Sequence, residues 1–489
     1  MKIFIYAVLL LTVSAYSVIT FEKTIGGTSD DEANSIRQTF DGGYIIAGYS
    51  SDSLFSGMTL FKTDHSGNQE WRKTTGYGMN EGYSVIETKD SCFVIAGYYV
   101  YSVKKINMVN LIYIEKTDKN GNTLWTYEQP YQVDDEWYEN NYEAYEIIQT
   151  CDGGYAATGS SFFGYFIIKL DSLGNEEWLQ TDSTEFTESC GRSIIQTEDK
   201  GFVITGYSPY ESTDSRVISL IKTDSLGNRE WIKYFGGGIL STGISGHSVK
   251  RTPDNGYILF GTTGNWKYGD LAILIKTDSN GEKEWDKSFG VPDSQGDYNN
   301  GKCVDITSNG GYILTGYMDH PLGGPDSYSW LIKTDSEGNV IWEKTFGPEY
   351  ENNERLHSVQ QTTDGGYIIA GYTDAQGAGG KDMWIIKTDE NGTEIESPFL
   401  PQNTELYQNY PNPFNPTTTI SYALSQAGQV ELSVYNLNGQ LVNTLVNCKQ
   451  DKGIHKADFD AGDLTSGLYI YSLKVDGKII QSRKLMLLK

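Results

Sequence analysis

Cysteine is scarce in this 489-residue chain, and basic residues are outnumbered. There are five cysteines: Cys92, Cys151, Cys190, Cys303 and Cys448. Their odd number and irregular spacing exclude a disulfide framework, and without any Cys-x-x-Cys they give no zinc site. One bridge is possible in an exported protein; buried free thiols are the expected state for most. Lys and Arg total 38 against 64 Asp and Glu, a net charge of −26. From residue 397 onward the signs nearly balance, with 8 basic and 7 acidic residues, so the acidity lies upstream. That surface excludes nucleic acid and anionic lipid as partners, since phosphate binding needs a basic face.

Long apolar runs are also missing, apart from the start. MKIFIYAVLLLTVSA, residues 1–15, reads as a secretory signal: Lys2, an apolar stretch from Ile3 to Val13, and small residues at Val13-Ser14-Ala15. The run is shorter than the ~20 residues of a membrane span. No later stretch is long enough, so no membrane span is expected.

What is abundant is glycine (54) and tyrosine (35). Both recur in register. Lys-Thr-Asp falls at Lys62, Lys116, Lys169 (with Leu170 in place of Thr), Lys222, Lys276, Lys333 and Lys387, at intervals of 53 to 57 residues. Each copy reads as four short strands. In the last copy the first three are His357 to Thr362, Tyr367 to Tyr372 and Met383 to Thr388; the fourth is seen in the copy before, at Val340 to Phe346. Asp-Gly-Gly and Asp-x-x-Gly supply the hairpin turns. A Trp follows the second turn at Trp71, Trp125, Trp178, Trp231, Trp285 and Trp342; the seventh copy has Ile395 there.

Radial repetition of such sheets gives a β-propeller. The seventh copy lacks its fourth strand, and Val18-Ile-Thr-Phe-Glu-Lys-Thr-Ile-Gly26 matches the missing piece. The expected fold is therefore all-β: a seven-bladed propeller over 16–397 whose N-terminal strand completes the last blade. The first strand of each copy then lines a central channel. The short turns share one face and the variable loops the other, where binding is expected. The propeller is expected to be monomeric.

The tryptophan pattern loosely resembles the docking motif of quinoprotein propellers, and the Gly-Gly and Trp spacing that of kelch propellers. Both imply that Trp71, Trp125, Trp178, Trp231, Trp285 and Trp342 pack between blades; neither transfers a cofactor site, and no cofactor or metal is expected. The Asp-x-x-Gly-Asn turns supply one Asp each, too few oxygens for calcium.

The candidate ligand-binding rim is the aligned column Asn34, Tyr83, Tyr145, Arg192, His247, Lys302 and His357, at the start of the channel-lining strands, with Glu32, Glu81 and Glu143 two residues earlier. It reads either as a binding ring or as a solvated rim. His247 and His357 lie two copies apart, too far to share a metal. Candidate aromatic loop contacts are Tyr99, Trp137, Tyr138, Trp266 and Tyr268. They suit sugar faces or protein partners, or simply hold the loops down. Asp134, Asp135 and Glu136 beside Trp137 offer carboxylates, but no pair at glycosidase separation can be placed. No Ser-His-Asp motif or phosphate loop occurs.

From Pro398 the repeat stops. Residues 398–416 form a Pro-rich entry, and 417–489 alternate as short strands of a β-sandwich. Tyr410-Pro-Asn-Pro-Phe-Asn-Pro416, Val434-Tyr-Asn-Leu-Asn-Gly439, Leu464-Thr-Ser-Gly-Leu-Tyr469 and Lys484-Leu-Met-Leu-Leu-Lys489 resemble the type A sorting domain of bacterial type IX secretion. The resemblance implies the type IX machinery as a partner and a secreted or surface-attached product. The expected function is non-catalytic binding or adhesion to a glycan or surface protein. The alternative is a polysaccharide-degrading enzyme with its site on the variable-loop face.

Overall fold

The computed structural model describes residues 20–51, 56–75, 80–103, 107–130, 141–181, 189–209, 216–236, 244–265, 269–290, 298–319, 328–346, 353–375, 377, 380–393, 404–406, 409, 412–424, 426, 428–450, 453–462 and 464–488. Residues 1–15, expected to be a secretory signal, and Trp137, Tyr138, Trp266, Tyr268 and Asp134 to Glu136 lie outside them. Two compact units divide at Glu394 and Ile395.

In the first unit the repeats form seven four-stranded antiparallel sheets resembling propeller blades, numbered 1 to 7 in chain order. Their first strands are Asp31–Gln38, Glu81–Glu87, Glu143–Gln149, Cys190–Gln196, Ser245–Arg251, Tyr298–Ile306 and Glu354–Gln361. Each packs against the next, and the last packs against the first, which closes the ring. One parallel bridge, Asp270 to Tyr298, also joins blades 5 and 6. Blade 7 takes its outer strand from the far end of the chain: Phe21–Ile25 pairs antiparallel with Asp382–Thr388, Phe21 opposite Lys387 and Ile25 opposite Met383.

The apolar core is a series of seams between blades, because a four-stranded sheet of short strands cannot cover both its faces alone. One seam joins Ile36, Phe61 and Phe21 to Ile368 and Ile385, and so welds blade 1 to blade 7. Another joins Val94 and Ile112 of blade 2 to Ile147 and Phe166 of blade 3.

The repeated motifs each have a mechanical cause. The Asp64 carboxylate accepts from the backbone N–H groups of Ser66 and Asn68, both at 2.8 Å, and from Asn68 Nδ2 at 2.9 Å. Its lone pairs are spent on the turn's own donors. Gly67 supplies that turn's positive φ of 72°. The buried lysine of Lys-Thr-Asp ties the two turns together. Lys62 Nζ pairs with Asp41 of the Asp-Gly-Gly turn at 3.0 Å and with Glu70 at 3.1 Å, and donates to Thr63 O at 2.9 Å. Lys169, Lys222 and Lys276 repeat both ion pairs. Burial alone would raise the Asp152 and Asp199 carboxyls, but hydrogen bonds from turn groups and the lysine bring both down to about 2. In blade 6 Asn309 stands in the aspartate's place, and Lys333 Nζ lies over the Tyr367 ring of blade 7 instead, 5.6 Å from its centroid.

Each tryptophan covers the turn of the following blade. Trp71 Nε1 donates to Lys119 O at 3.1 Å, and a Cβ on Gly121 would lie 3.0 Å from its ring. Trp125, Trp178, Trp231, Trp285 and Trp342 sit likewise under Gly174, Gly227, Gly281, Gly338 and Gly392. Blade 7 fills the position with Phe21, under Gly67. The residue equivalent to tryptophan in the seventh blade is therefore Phe21, which pairs with Lys387 just as Trp71 pairs with Lys62.

The second unit has two sheets around its own core of Ile420, Tyr422, Leu432, Val434, Tyr471 and Leu485. Thr417–Leu424 is flanked by Glu405–Leu406 and Gly453–Asp460 in one. Gly428–Tyr435 and Gly467–Val475 lie between Leu441–Gln450 and Lys478–Leu487 in the other. The arrangement is sandwich-like.

The expectation of mostly buried thiols needs correction. All five cysteines are free, but only Cys190 and Cys303 are buried; Cys151 and Cys448 are exposed and Cys92 is partly so. Cys92 and Cys151 belong to the Asp-Gly-Gly-type turns, where side chains project from the blade edge.

Candidate binding site at the central mouth

The inner strands start earlier than their hydrophobic pattern suggests: blade 7 begins at Glu354 rather than His357. The reason is a β-bulge, repeated in every blade. Pairing slips between Ala33 and Ser35, Gly82 and Ser84, Ala144 and Glu146, Gly191 and Ser193, Gly246 and Ser248, Gly301 and Cys303, and Leu356 and Ser358. The residue skipped each time is Asn34, Tyr83, Tyr145, Arg192, His247, Lys302 or His357. The polar column is therefore a ring of seven bulged residues, not of strand-initiating ones. A bulge leaves its extra residue out of the ladder and re-aims its side chain. It also explains the glycine that recurs in each second strand. A Cβ on Gly48 would collide with the carbonyl of Glu32, which the bulge pushes across; Gly97, Gly159, Gly206, Gly261, Gly316 and Gly371 meet the same obstacle.

The residue after each bulge forms an inter-blade belt. Backbone N–H groups of Ile36, Val85, Ile147 and Val249 donate to Ser358, Ser35, Ser84 and Ser193 Oγ at 3.0 to 3.4 Å. Glu146 takes the role at Ile194 N, at 2.7 Å. At the last two junctions Ser248 Oγ and Cys303 Sγ donate to the carbonyls of Val304 and Val359. Every junction thus has one bond, including that from blade 7 to blade 1.

The ring is electrically divided. In blades 1 to 3 the position two before the bulge holds Glu32, Glu81 and Glu143; in blades 4 to 7 it holds Cys190, Ser245, Asn300 and Arg355. The bulged residues run neutral in blades 1 to 3 and then Arg192, His247, Lys302 and His357. The carboxylates all have partners. Glu32 pairs with Lys381 at 2.5 Å. Glu81 accepts from Asn34 Nδ2 at 2.9 Å. Glu143 accepts from Tyr145 Oη at 2.5 Å and from Asn110 Nδ2 at 2.8 Å. Burial raises the Glu81 pKa, with the charges of Glu32 and Glu143 adding and its hydrogen bonds opposing.

On the other arc, the Arg192 guanidinium lies 3.9 Å from the centroid of the Tyr145 ring, and its Nε is buried with no hydrogen-bond partner. Burial, together with the charges of Lys302, Arg192 and His357, holds His247 well below the usual imidazole range; burial and the charges of Lys302, Arg355 and Lys381 bring His357 down to about 3. Both imidazoles are neutral at pH 7. Tyrosines line the ring: Tyr83 stands 4.9 Å from Tyr145 and 5.9 Å from Tyr98, and His357 meets Tyr317 and Tyr372 edge-on.

Of the loop aromatics, Tyr99 is half-buried and edge-on to Tyr113 at 6.1 Å. It anchors its own hairpin. No group of three or more His, Cys, Asp or Glu among the described residues could hold a metal ion. Among those residues no helix is long and apolar enough to cross a membrane.

Comparison with known proteins bears on the tail first. Residues 408–488 match the family model of the secretion system C-terminal sorting domain. The tail is a sorting domain. It directs the chain by type IX secretion to the cell surface or the extracellular space. No curated protein matches the chain. Among solved structures it is similar to PorZ of Porphyromonas gingivalis, an essential bacterial surface component of the type IX secretion system. The two are 8% identical over 92% of this chain and 69% of that one, with a TM-score of 0.36. The BP39L lectin of Burkholderia pseudomallei is 7% identical over 75% of this chain and 98% of the lectin, with a TM-score of 0.48. A protein from Dyadobacter fermentans is 14% identical over 75% of this chain and 97% of that one, with a TM-score of 0.41. None of these likenesses carries a ligand to this chain.

Proposed function

We propose that the repeat unit is a non-catalytic binding module, delivered outside the cell by the sorting domain, whose ligand is a surface glycan taken at the central mouth. The observation that carries this reading is the ring of seven bulged residues. Seven bulges are not needed to close a propeller, and each costs ladder hydrogen bonds. What they achieve is to turn a polar or aromatic side chain out of each inner strand at the same level. Tyrosine rings beside hydrogen-bonding groups suit a sugar, which has an apolar C–H face and a hydroxyl rim. The three carboxylates are each held by neighbouring donors, an arrangement that suits binding hydroxyl groups rather than moving protons.

The test is a glycan array probed with the purified mature chain, followed by titration of each hit against a Tyr83→Ala, Tyr145→Ala double variant. Binding that falls at least tenfold in the variant is the expected result. Release of shortened products from a bound polysaccharide would replace this reading with an enzymatic one.

A further inference from the structure

The division of the ring says more about the ligand, provided that the mouth is the binding site. We propose that the mouth recognises an acidic sugar, with the sugar's carboxylate or sulfate group on Arg192 and its hydroxyls on the glutamate arc. The chain carries a net charge of −26. Arg192 is the bulged residue of blade 4, beside the glutamate arc. Cations in so acidic a protein ordinarily find a carboxylate, as Lys62, Lys169, Lys222 and Lys276 do on the opposite face.

Arg192 does not. Among the described residues it makes no ion pair or hydrogen bond, and its Nε is buried without an acceptor. A guanidinium whose Nε is buried without an acceptor is costly, and reducing that cost is what a ligand anion offers. Tyr145 holds the guanidinium by its face, which leaves the N–H edge for a bidentate oxyanion. His247 is the bulged residue of the next blade. As a neutral imidazole it donates one further N–H without adding charge.

The opposite arc chooses among anions. Glu32, Glu81 and Glu143 repel a second negative charge and accept hydrogen bonds from hydroxyls. An acidic peptide has a carboxylate but no hydroxyl rim, and is disfavoured there. A sugar acid has both, and its C–H face fits the tyrosines.

The experiment is calorimetric titration of the full mature chain with four probes: a galacturonate oligosaccharide, a sulfated galactan oligosaccharide, a neutral galactan oligosaccharide and polyglutamate. The expected result is binding of one or both acidic sugars at least tenfold tighter than the neutral one, weakened by salt. Arg192→Met, which keeps the stacked volume, is expected to lose at least tenfold for the acidic probe only. Preference for the carboxylate or the sulfate probe names the source of the anion. Equal binding of the neutral oligosaccharide, full affinity in Arg192→Met, or preference for polyglutamate overturns the proposal. If Arg192→Met does not fold, affinity of the unmodified chain that is insensitive to salt overturns it equally. Absence of binding to any carbohydrate on the array would overturn the binding reading itself.

Discussion

The backbone N–H of Ile36 donates to Ser358 Oγ at 3.3 Å, across 322 positions of the chain. The bond repeats at the closing junction what Ser35 and Ser84 do between consecutive blades. The seam between first and last blade is thus built from the same parts as the others. Replacing Ser358 by Ala leaves the buried Ile36 N–H unsatisfied and is expected to cost roughly 1–2 kcal/mol. Ser84→Ala should cost about the same. Chemical denaturation of both variants checks this; a Ser358 variant indistinguishable from the unmodified chain would count against a continuous belt.

Phe21 is the clasp of the ring. It packs with Tyr44, their centroids 5.8 Å apart, and beneath Gly67. Phe21→Ala is expected to destabilise the propeller by roughly 3–4 kcal/mol, as for other buried phenylalanines. Deleting Thr20 to Gly26 removes the whole outer strand of blade 7 and should cost more. Thermal melts of the two variants should rank them in that order, and an unchanged midpoint in the deletion would refute closure by this strand.

Glu354 is buried at 1% exposure, with Oε1 accepting from Thr373 and Oε2 unpartnered. Burial raises its pKa to about 8, with the charges of Asp374 and Glu22 adding and the Thr373 bond opposing. The folded state therefore binds a proton that the unfolded chain has released above its ordinary value of 4.5. Stability contributed by this group is full below pH 4.5 and is lost as the pH rises to about 8. Glu354→Gln should flatten that part of the stability profile and melt higher than the unmodified chain at pH 8. A variant whose profile keeps the same slope between those limits would exclude Glu354 as its source.

Lys387 is 1% exposed and pairs with Asp364 at 3.0 Å. Asp364→Ala leaves the ammonium with Thr388 O alone and is expected to cost roughly 3 kcal/mol. Asp364→Asn copies blade 6, where Asn309 occupies this position, and should cost less. Equal losses in the two variants would show that the turn, rather than the charge, is what matters.

Removal of residues after Gly467 takes two strands from the sorting domain, Gly467–Val475 and Lys478–Leu487, and half of one sheet. The truncated chain should accumulate in the periplasm with a propeller that still melts cooperatively. Normal delivery to the cell surface would contradict the role of the tail.

Much of this architecture was legible in the chain because local chemistry dictates it. Asp-x-x-Gly can only be a turn of one kind, since its carboxylate caps the turn's own amides and its glycine takes a positive φ. Seven such turns at 53 to 57 residue intervals require seven similar sheets. The orphan strand at the N-terminus and the deficit at Thr393 were visible as sequence, and pairing of Phe21 with Lys387 joins them. The motifs of the tail were likewise readable, and the family match falls on the same stretch.

The bulge was not legible. Bulged and regular strands share one alternating pattern until a partner is laid alongside, and only the register shows that Asn34 or Arg192 is the extra residue. Nor could spacing reveal that Gly48 yields to the Glu32 carbonyl, or that Ser358 reaches Ile36. The charge division of the mouth is also a tertiary fact. Glu32, Glu81 and Glu143 are residues in three separate repeats, and Arg192, Lys302 and Arg355 in three others. Closing the ring turns that order along the chain into two facing arcs, because only closure brings the inner strands of all seven blades around one axis.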